Sequence, residues 1–189
     1  MPRLFFAVEV PPARAERLLS TLPEATGLRP VPATQVHLTL HFLGECGVPE
    51  AQLNAALDGL AAPAFTLQAA GTGRFRTGQG SVLWAGLAPG PGLDALRALH
   101  AAVGQALAQA AGIEPERRRY HPHLTLARCR PTVPEAMLRA WLDAQRMLAS
   151  DPWPVQRLVL FESRLGPRGA EHLVLQAWPL ARPAATPGC

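Results

Sequence analysis

The sequence predicts a mixed fold of strands and helices built as two pseudo-symmetric lobes, on three observations. The tetrapeptide His37-Leu38-Thr39-Leu40 returns in the same order as His123-Leu124-Thr125-Leu126. Strand-like and helix-like stretches interleave in each half of the chain, and each half holds one copy of the tetrapeptide on a strand. The two copies stand 86 residues apart, too long a period for a solenoid, which leaves duplication or pseudo-symmetry.

Each element follows from local pattern. Arg3 to Val10 is apolar and aromatic and ends at Pro11-Pro12, which reads as a central strand followed by a helix start. Ala13 to Leu22 reads as a helix with leucines 18, 19 and 22 on one face, and Pro23 stops it. Pro30 and Pro32 mark a loop before the first motif strand, Gln35 to Leu43, and Val48 to Leu60 reads as a second helix. Phe65 to Ala70 and Ser81 to Leu87 read as strands around a glycine-rich connection, Gly71 to Gly80, expected to be a hairpin loop. Its glycines do not match a dinucleotide fingerprint. Leu93 to Ala111 is the longest helix candidate, with Gly112 as its stop. Tyr120 to Cys129 is the second motif strand, and Pro134 to Leu148 a helix. Val155 to Leu165 and Glu171 to Trp178 form a hairpin around Gly166-Pro167-Arg168-Gly169. Residues 1–180 are expected to make one bilobal unit, and 181–189 a flexible Pro/Ala tail.

Composition bounds the chemistry. A chain of 189 residues buries one sizeable core or two small ones. The net charge of +4 suits an anionic partner without requiring one. All 18 basic residues are arginine, so a Schiff base, a lysyl-nucleotide intermediate and a P-loop lysine are excluded. Three cysteines without a CxxC pair indicate neither a disulfide framework nor a zinc ribbon, and a reducing cytoplasm fits them. No apolar segment approaches the roughly 20 residues that cross a bilayer. Monomer is the default expectation.

The repeat carries the function. Alternation along a strand sends His and Thr of each copy to one face and the leucines to the other. An imidazole exchanges protons near neutral pH, and two of them serve both ends of one phosphodiester cleavage: one deprotonates the attacking hydroxyl or water while the other protonates the departing oxygen. The threonine two residues on can donate a hydrogen bond to a non-bridging phosphate oxygen.

The two tetrapeptides, with Phe42-Leu43-Gly44 after the first and His121-Pro122 before and Ala127-Arg128 after the second, resemble the two-histidine phosphoesterase superfamily. Within it the chain is most similar to the RNA 2′,3′-cyclic phosphodiesterases, also called the LigT-like 2′-5′ RNA ligase family. The opening strand, Val82-Leu83-Trp84 and Glu162 to Gly166 share in the likeness. The resemblance implies a bilobal α+β fold whose antiparallel sheets form a cleft, with helices outside. It implies hydrolysis of an RNA 2′,3′-cyclic phosphate end, or a small cyclic nucleotide, to a 2′-phosphomonoester without metal or other cofactor. His37 would be the proton donor and His123 the proton acceptor, while Thr39, Thr125 and Arg128 would bind the phosphate. Simple alternation puts Arg128 on the leucine side, so a bulge or the strand's end must turn it. Phe42 is a candidate for base stacking, although its parity with Leu38 and Leu40 favours a core role.

Other readings stand beside these. His100 and His172 read as structural or surface residues, and His41 and His121 share the faces of the motif histidines and are candidates to line the cleft, a supporting or solvent position being the alternative. Four histidines could converge on a metal, but no carboxylate or cysteine joins them on the motifs' polar faces. Cys129 reads as a buried strand thiol. Arg117-Arg118-Arg119 could guide an RNA backbone or simply be solvated. Ligation to a 5′-hydroxyl would use the same two histidines. An RNA-binding module with a degenerate site is the alternative from a different class.

Overall fold

The computed structural model describes residues 1–114, 116, 118–166 and 169–181. The expected tail from 182 onward, Arg117, and Pro167 and Arg168 of the expected hairpin connection lie outside the described residues. The elements run β1 (Arg3–Glu9), α1 (Pro12–Leu19), β2 (Leu28–Pro30), a single 3-10 turn (Ala33–Gln35), β3 (His37–Glu45), α2 (Glu50–Leu57), β4 (Phe65–Leu67), β5 (Ala69–Thr77) and β6 (Gly80–Leu87). They continue with α3 (Pro91–Ala111), β7 (Leu124–Cys129), α4 (Glu135–Ala144), β8 (Trp153–Val155), β9 (Arg157–Gly166) and β10 (Gly169–Pro179).

Two antiparallel four-stranded sheets result, ordered β10-β9-β1-β3 and β2-β7-β6-β5, with a small β4-β8 pair beside them. Each motif strand enters a different sheet. Each sheet also draws on both halves of the chain: β1 pairs with β9 from the C-terminal end, and β2 pairs with β7. This is an α+β fold of two lobes, whose motif strands β3 and β7 meet at the centre.

The unbroken apolar run of β1 is explained by burial on both faces. Leu4, Phe6 and Val8 enter the main core, while Phe5 and Ala7 pack with Val159 and Phe161 on the cleft side. Leu38 and Leu40 of β3 and Leu124 and Leu126 of β7 join the same main core. Each leucine of this kind contributes about 1.5–3 kcal/mol of burial. Prolines open α1 and α3 where their missing N–H costs nothing, and Gly112 ends α3 in the left-handed conformation at φ 66°.

The glycine-rich stretch is not a loop. Gly71 to Thr77 belongs to β5, paired with β6, and only Gly78 and Gln79 turn the hairpin. Glycine here has a packing reason: a Cβ on Gly73 would stand 2.1 Å from the indole of Trp84, which lies over that backbone. The strand expected over Phe65 to Ala70 is divided between β4 and the start of β5, while β2 and β8 are absent from the sequence reading, since three residues are too few to display a period.

Candidate active site

The residues around His37 hold it in one orientation and one tautomer. Gln35 closes the 3-10 turn before β3, and its carbonyl accepts a hydrogen bond from His37 Nδ1 at 2.7 Å. A carbonyl only accepts, so Nδ1 carries the proton and Nε2 presents a lone pair. Thr39 Oγ1 lies 3.1 Å from that Nε2 and donates to it. The second motif repeats the device. His123 stands one residue ahead of β7, and its Nδ1 donates to the carbonyl of His121 at 2.8 Å, again leaving the lone pair on Nε2. In both motifs the carbonyl two residues upstream sets the ring.

Burial pushes the His37 pKa down to about 4. The Gln35 bond opposes this, and repulsion from His172 and then His123 adds to it. His123 is also lowered, by burial first, against its bond to His121, with the charges of His121 and Arg118 adding. The two imidazoles are therefore close enough to feel each other, and both favour the neutral form.

Bulges decide which neighbours reach them. Across β1 and β3, Phe5 faces Phe42, Phe6 faces His41, Ala7 faces Thr39 and Glu9 faces His37, leaving Leu40 and Leu43 as extra residues. An extra residue reverses the alternation beyond it. His41 consequently turns to the core, only 7% exposed, where its Nε2 donates to the His100 carbonyl at 2.7 Å and its ring stacks on His100 at 4.2 Å. The expectation that His41 lines the cleft is thus corrected. Phe42 turns the other way, onto the face of Phe5, and is 46% exposed with Arg3 over its ring. The parity argument for a core role fails there for the same reason.

In the other sheet, Thr125 faces Trp84, Ala127 faces Leu83 and Arg128 faces Val82, so Leu126 is the extra residue. Arg128 therefore joins the face of Thr125, as a bulge was required to arrange. Arg29 of β2 stands directly opposite Arg128. Like charges so placed repel each other, an arrangement that a bound anion relieves.

The cleft has an aromatic lining. Phe75, Trp84 and His121 lie within 4.9, 6.2 and 6.1 Å of the His123 ring, so His121 does line the site. His37 rests against Phe5 at 4.9 Å and meets the edge of His172 at 5.0 Å. His172, which reads as a lone strand histidine in sequence, belongs to the site. Its pKa is lowered by burial and then by the charge of Arg128 across the cleft. Only the pairing of β10 with β9 reveals this, because no motif surrounds it.

The remaining candidates lie elsewhere. His100 stacks between His41 and Tyr120, whose hydroxyl donates to the Thr39 carbonyl at 3.0 Å and braces β3 from behind. Cys129 is buried and its thiol pKa is raised by that burial. Arg74 is bound bidentately by Glu135 at 2.8 and 2.9 Å, which pulls the carboxyl down to about 2. Among the described residues no three His, Cys, Asp or Glu side chains are grouped to hold a metal ion, and no helix is long and apolar enough to cross a membrane.

Two sheets meeting at a pair of matched His-x-Thr strands, each imidazole tethered through Nδ1 with its lone pair on Nε2, define a two-histidine phosphoesterase. Residues 10–167 match the family model of the 2′-5′ RNA ligase superfamily, and the chain belongs to that family. It is 33% identical to an RNA 2′,3′-cyclic phosphodiesterase of Thermus thermophilus over 94% of this chain and 90% of the relative. It is 34% identical to an RNA 2′,3′-cyclic phosphodiesterase of Escherichia coli over 67% of this chain and 71% of that one. The crystal structure of Escherichia coli LigT complexed with 3′-AMP superposes with a TM-score of 0.74 at 25% identity, covering 95% of this chain and 99% of that one.

Proposed function

We propose that the paired imidazoles hydrolyse RNA 2′,3′-cyclic phosphate ends, and small cyclic nucleotides, to 2′-phosphomonoesters without a metal. The observation that carries this reading is the matched tethering of His37 and His123, which puts the proton of each neutral ring on Nδ1 and leaves Nε2 as the atom that exchanges protons. The phosphate sits between the rings. His123 Nε2 takes a proton from water as the water oxygen bonds to phosphorus, the P–O3′ bond breaks, and His37 gives its proton to O3′. Thr39, Thr125 and Arg128 hold the non-bridging oxygens, where charge concentrates. A 5′-hydroxyl in place of water gives 2′-5′ ligation by the same step.

An acid must carry a proton, and burial makes His37 resist one. The anionic phosphate reverses the local field, so His37 takes up its proton together with the substrate. The exposed Phe42 ring offers a stacking surface for a base of the RNA. Arg118, whose charge reaches His123, and Arg29 add positive charge along the path of the strand. Residues 1–180 act as one catalytic unit, as a monomer in the cytoplasm, where the buried free thiols of Cys46 and Cys129 stay reduced.

The test is incubation with an oligoribonucleotide ending in a 2′,3′-cyclic phosphate. The wild-type chain opens the ring, while His37→Ala and His123→Ala bind the RNA but do not. Binding without hydrolysis by the wild-type chain would instead favour the RNA-binding alternative.

A further inference from the structure

Two rings that exchange protons at opposite ends of one phosphate must be held at a fixed separation, yet His37 and His123 ride on different sheets. The leucines behind both motifs share one core. Apolar packing is non-directional, so it brings the sheets together without fixing how one lies on the other. A hydrogen bond does fix distance and angle. Among the described residues a single one joins residues 37–45 to residues 118–129: the Tyr120 hydroxyl donates to the Thr39 carbonyl at 3.0 Å.

Both ends of that bond stand next to the devices that hold the imidazoles. Thr39 is the residue whose hydroxyl meets His37 Nε2 at 3.1 Å. Tyr120 directly precedes His121, whose carbonyl accepts from His123 Nδ1 at 2.8 Å. Between these two histidines Pro122 locks its own φ and keeps His121 out of the helical region, which stiffens the link. A displacement of Tyr120 is therefore passed on to His123.

The phenol is itself clamped. Its ring stacks on His100 of α3 at 3.9 Å and 8°, and the other face of His100 stacks on His41 of β3 at 4.2 Å and 14°. His41 Nε2 donates to the His100 carbonyl at 2.7 Å, so α3 is fastened to β3 at the same place. Because β3 is an edge strand, its outward carbonyls have no ladder partner and one is open to this contact. Burial raises the Tyr120 hydroxyl above its ordinary pKa, which keeps it a donor at every pH where the chain works.

We propose that Tyr120 is a positioning residue that sets the separation of His37 and His123, its hydroxyl tying the strand of the first to the segment that carries the second. This role rests on the phosphodiesterase reading above and deepens it. Tyr120 touches neither the reacting atoms nor the two imidazoles; it acts through the Thr39 main chain and the Pro122 link.

The experiment uses Tyr120→Phe, which keeps the ring and the stack and removes only the tie. With adenosine 2′,3′-cyclic phosphate its kcat should fall about ten- to a hundredfold while KM stays within about threefold, because a misplacement of about 1 Å costs on the order of 10²-fold. His100→Ala, which leaves the hydroxyl but takes away the ring that clamps it, should give a smaller loss of kcat, again at constant KM. A merely structural role would lower the melting temperature of both variants and leave the kcat of the folded protein unchanged, and that result, or a change confined to KM, overturns the proposal. A second readout does not depend on turnover. His123 lowers the His37 pKa by repulsion, so His123→Gln should raise the His37 pKa read by ring NMR, and the size of that rise reports how near the two rings are held. In the Tyr120→Phe background the rise should shrink to about half or less; an equal rise in both backgrounds overturns the tie. Failure of the wild-type chain to hydrolyse the substrate overturns the functional reading instead, and the NMR comparison then decides the role of Tyr120 by itself.

Discussion

Thr125 and Arg128 point to the same face of their sheet although they are three residues apart, because Leu126 between them has no partner in β6. A regular strand would bury the guanidinium among leucines. The bulge places it instead beside a threonine hydroxyl, opposite Arg29 and within the field of His172. A charge-assisted bond to phosphate stabilises by about 1.5–3 kcal/mol. Arg128→Ala should therefore lower kcat/KM roughly ten- to a hundredfold, and Arg128→Lys should recover only part, because an ammonium lacks the planar fork. Unchanged kinetics in Arg128→Ala would remove it from the phosphate.

Each motif histidine should be indispensable to turnover. General acid or base catalysis accounts for about 10²–10⁴ in rate, so His37→Ala and His123→Ala should each lose that much kcat while binding of a 2′-nucleotide product persists. Circular dichroism and the melting temperature show whether either variant is folded. Full activity in either folded variant contradicts the pairing.

The pH profile follows from the field in the cleft. In the proposed mechanism the reactive form of the free chain carries one proton between His37 and His123, and both groups are held below the ordinary value of 6.5. The maximum of kcat/KM should then lie below pH 6.5, with a fall on the alkaline side as the pair loses its proton. His172→Ala removes a repulsion, raises the His37 pKa and moves that alkaline limb to higher pH. Because bound phosphate favours the protonated ring, the alkaline limb of kcat should sit at higher pH than that of kcat/KM. Coincident limbs in both measurements would count against proton uptake with substrate.

Stability should respond to acid through the same groups. His37 and His100 are held down to about 4 in the fold, the latter by burial and by His41, whereas the unfolded chain binds protons near 6.5. As pH falls from 6.5 toward 4 the unfolded state takes up protons first, so stability is complete above that window and lost across it. His37 alone accounts for on the order of 3 kcal/mol. The melting temperature of His37→Ala should fall less than that of wild type over this range; parallel curves would contradict the assignment.

Much of this site is legible in the sequence, and the part that is not has a common cause. The repeated tetrapeptide fixes both histidines and both threonines, because the first three residues of each copy precede any bulge. Parity fails at the last residue of each copy, Leu40 and Leu126, and again at Leu43, where a single unpaired residue exchanges the faces of His41 and Phe42 and delivers Arg128 to the cleft. Nothing local announces such a residue, since it depends on the partner strand. His172 and Arg29 are illegible for a related reason. They reach the site through pairing of β10 with β9 and of β2 with β7, across long separations that one sequence does not display. The glycines of β5 read as a loop by composition, and only the Trp84 indole seated on Gly73 explains them.

The most direct test is phosphorus NMR of the product formed from adenosine 2′,3′-cyclic phosphate with a chelator present throughout. The proposed roles of His37 as the acid at O3′ and His123 as the base at water predict 2′-AMP, formed undiminished by the chelator. A 3′-AMP product would contradict the assignment of the 3′ oxygen to His37, and activity lost with chelator and restored by zinc would contradict the metal-free pairing of His37 with His123.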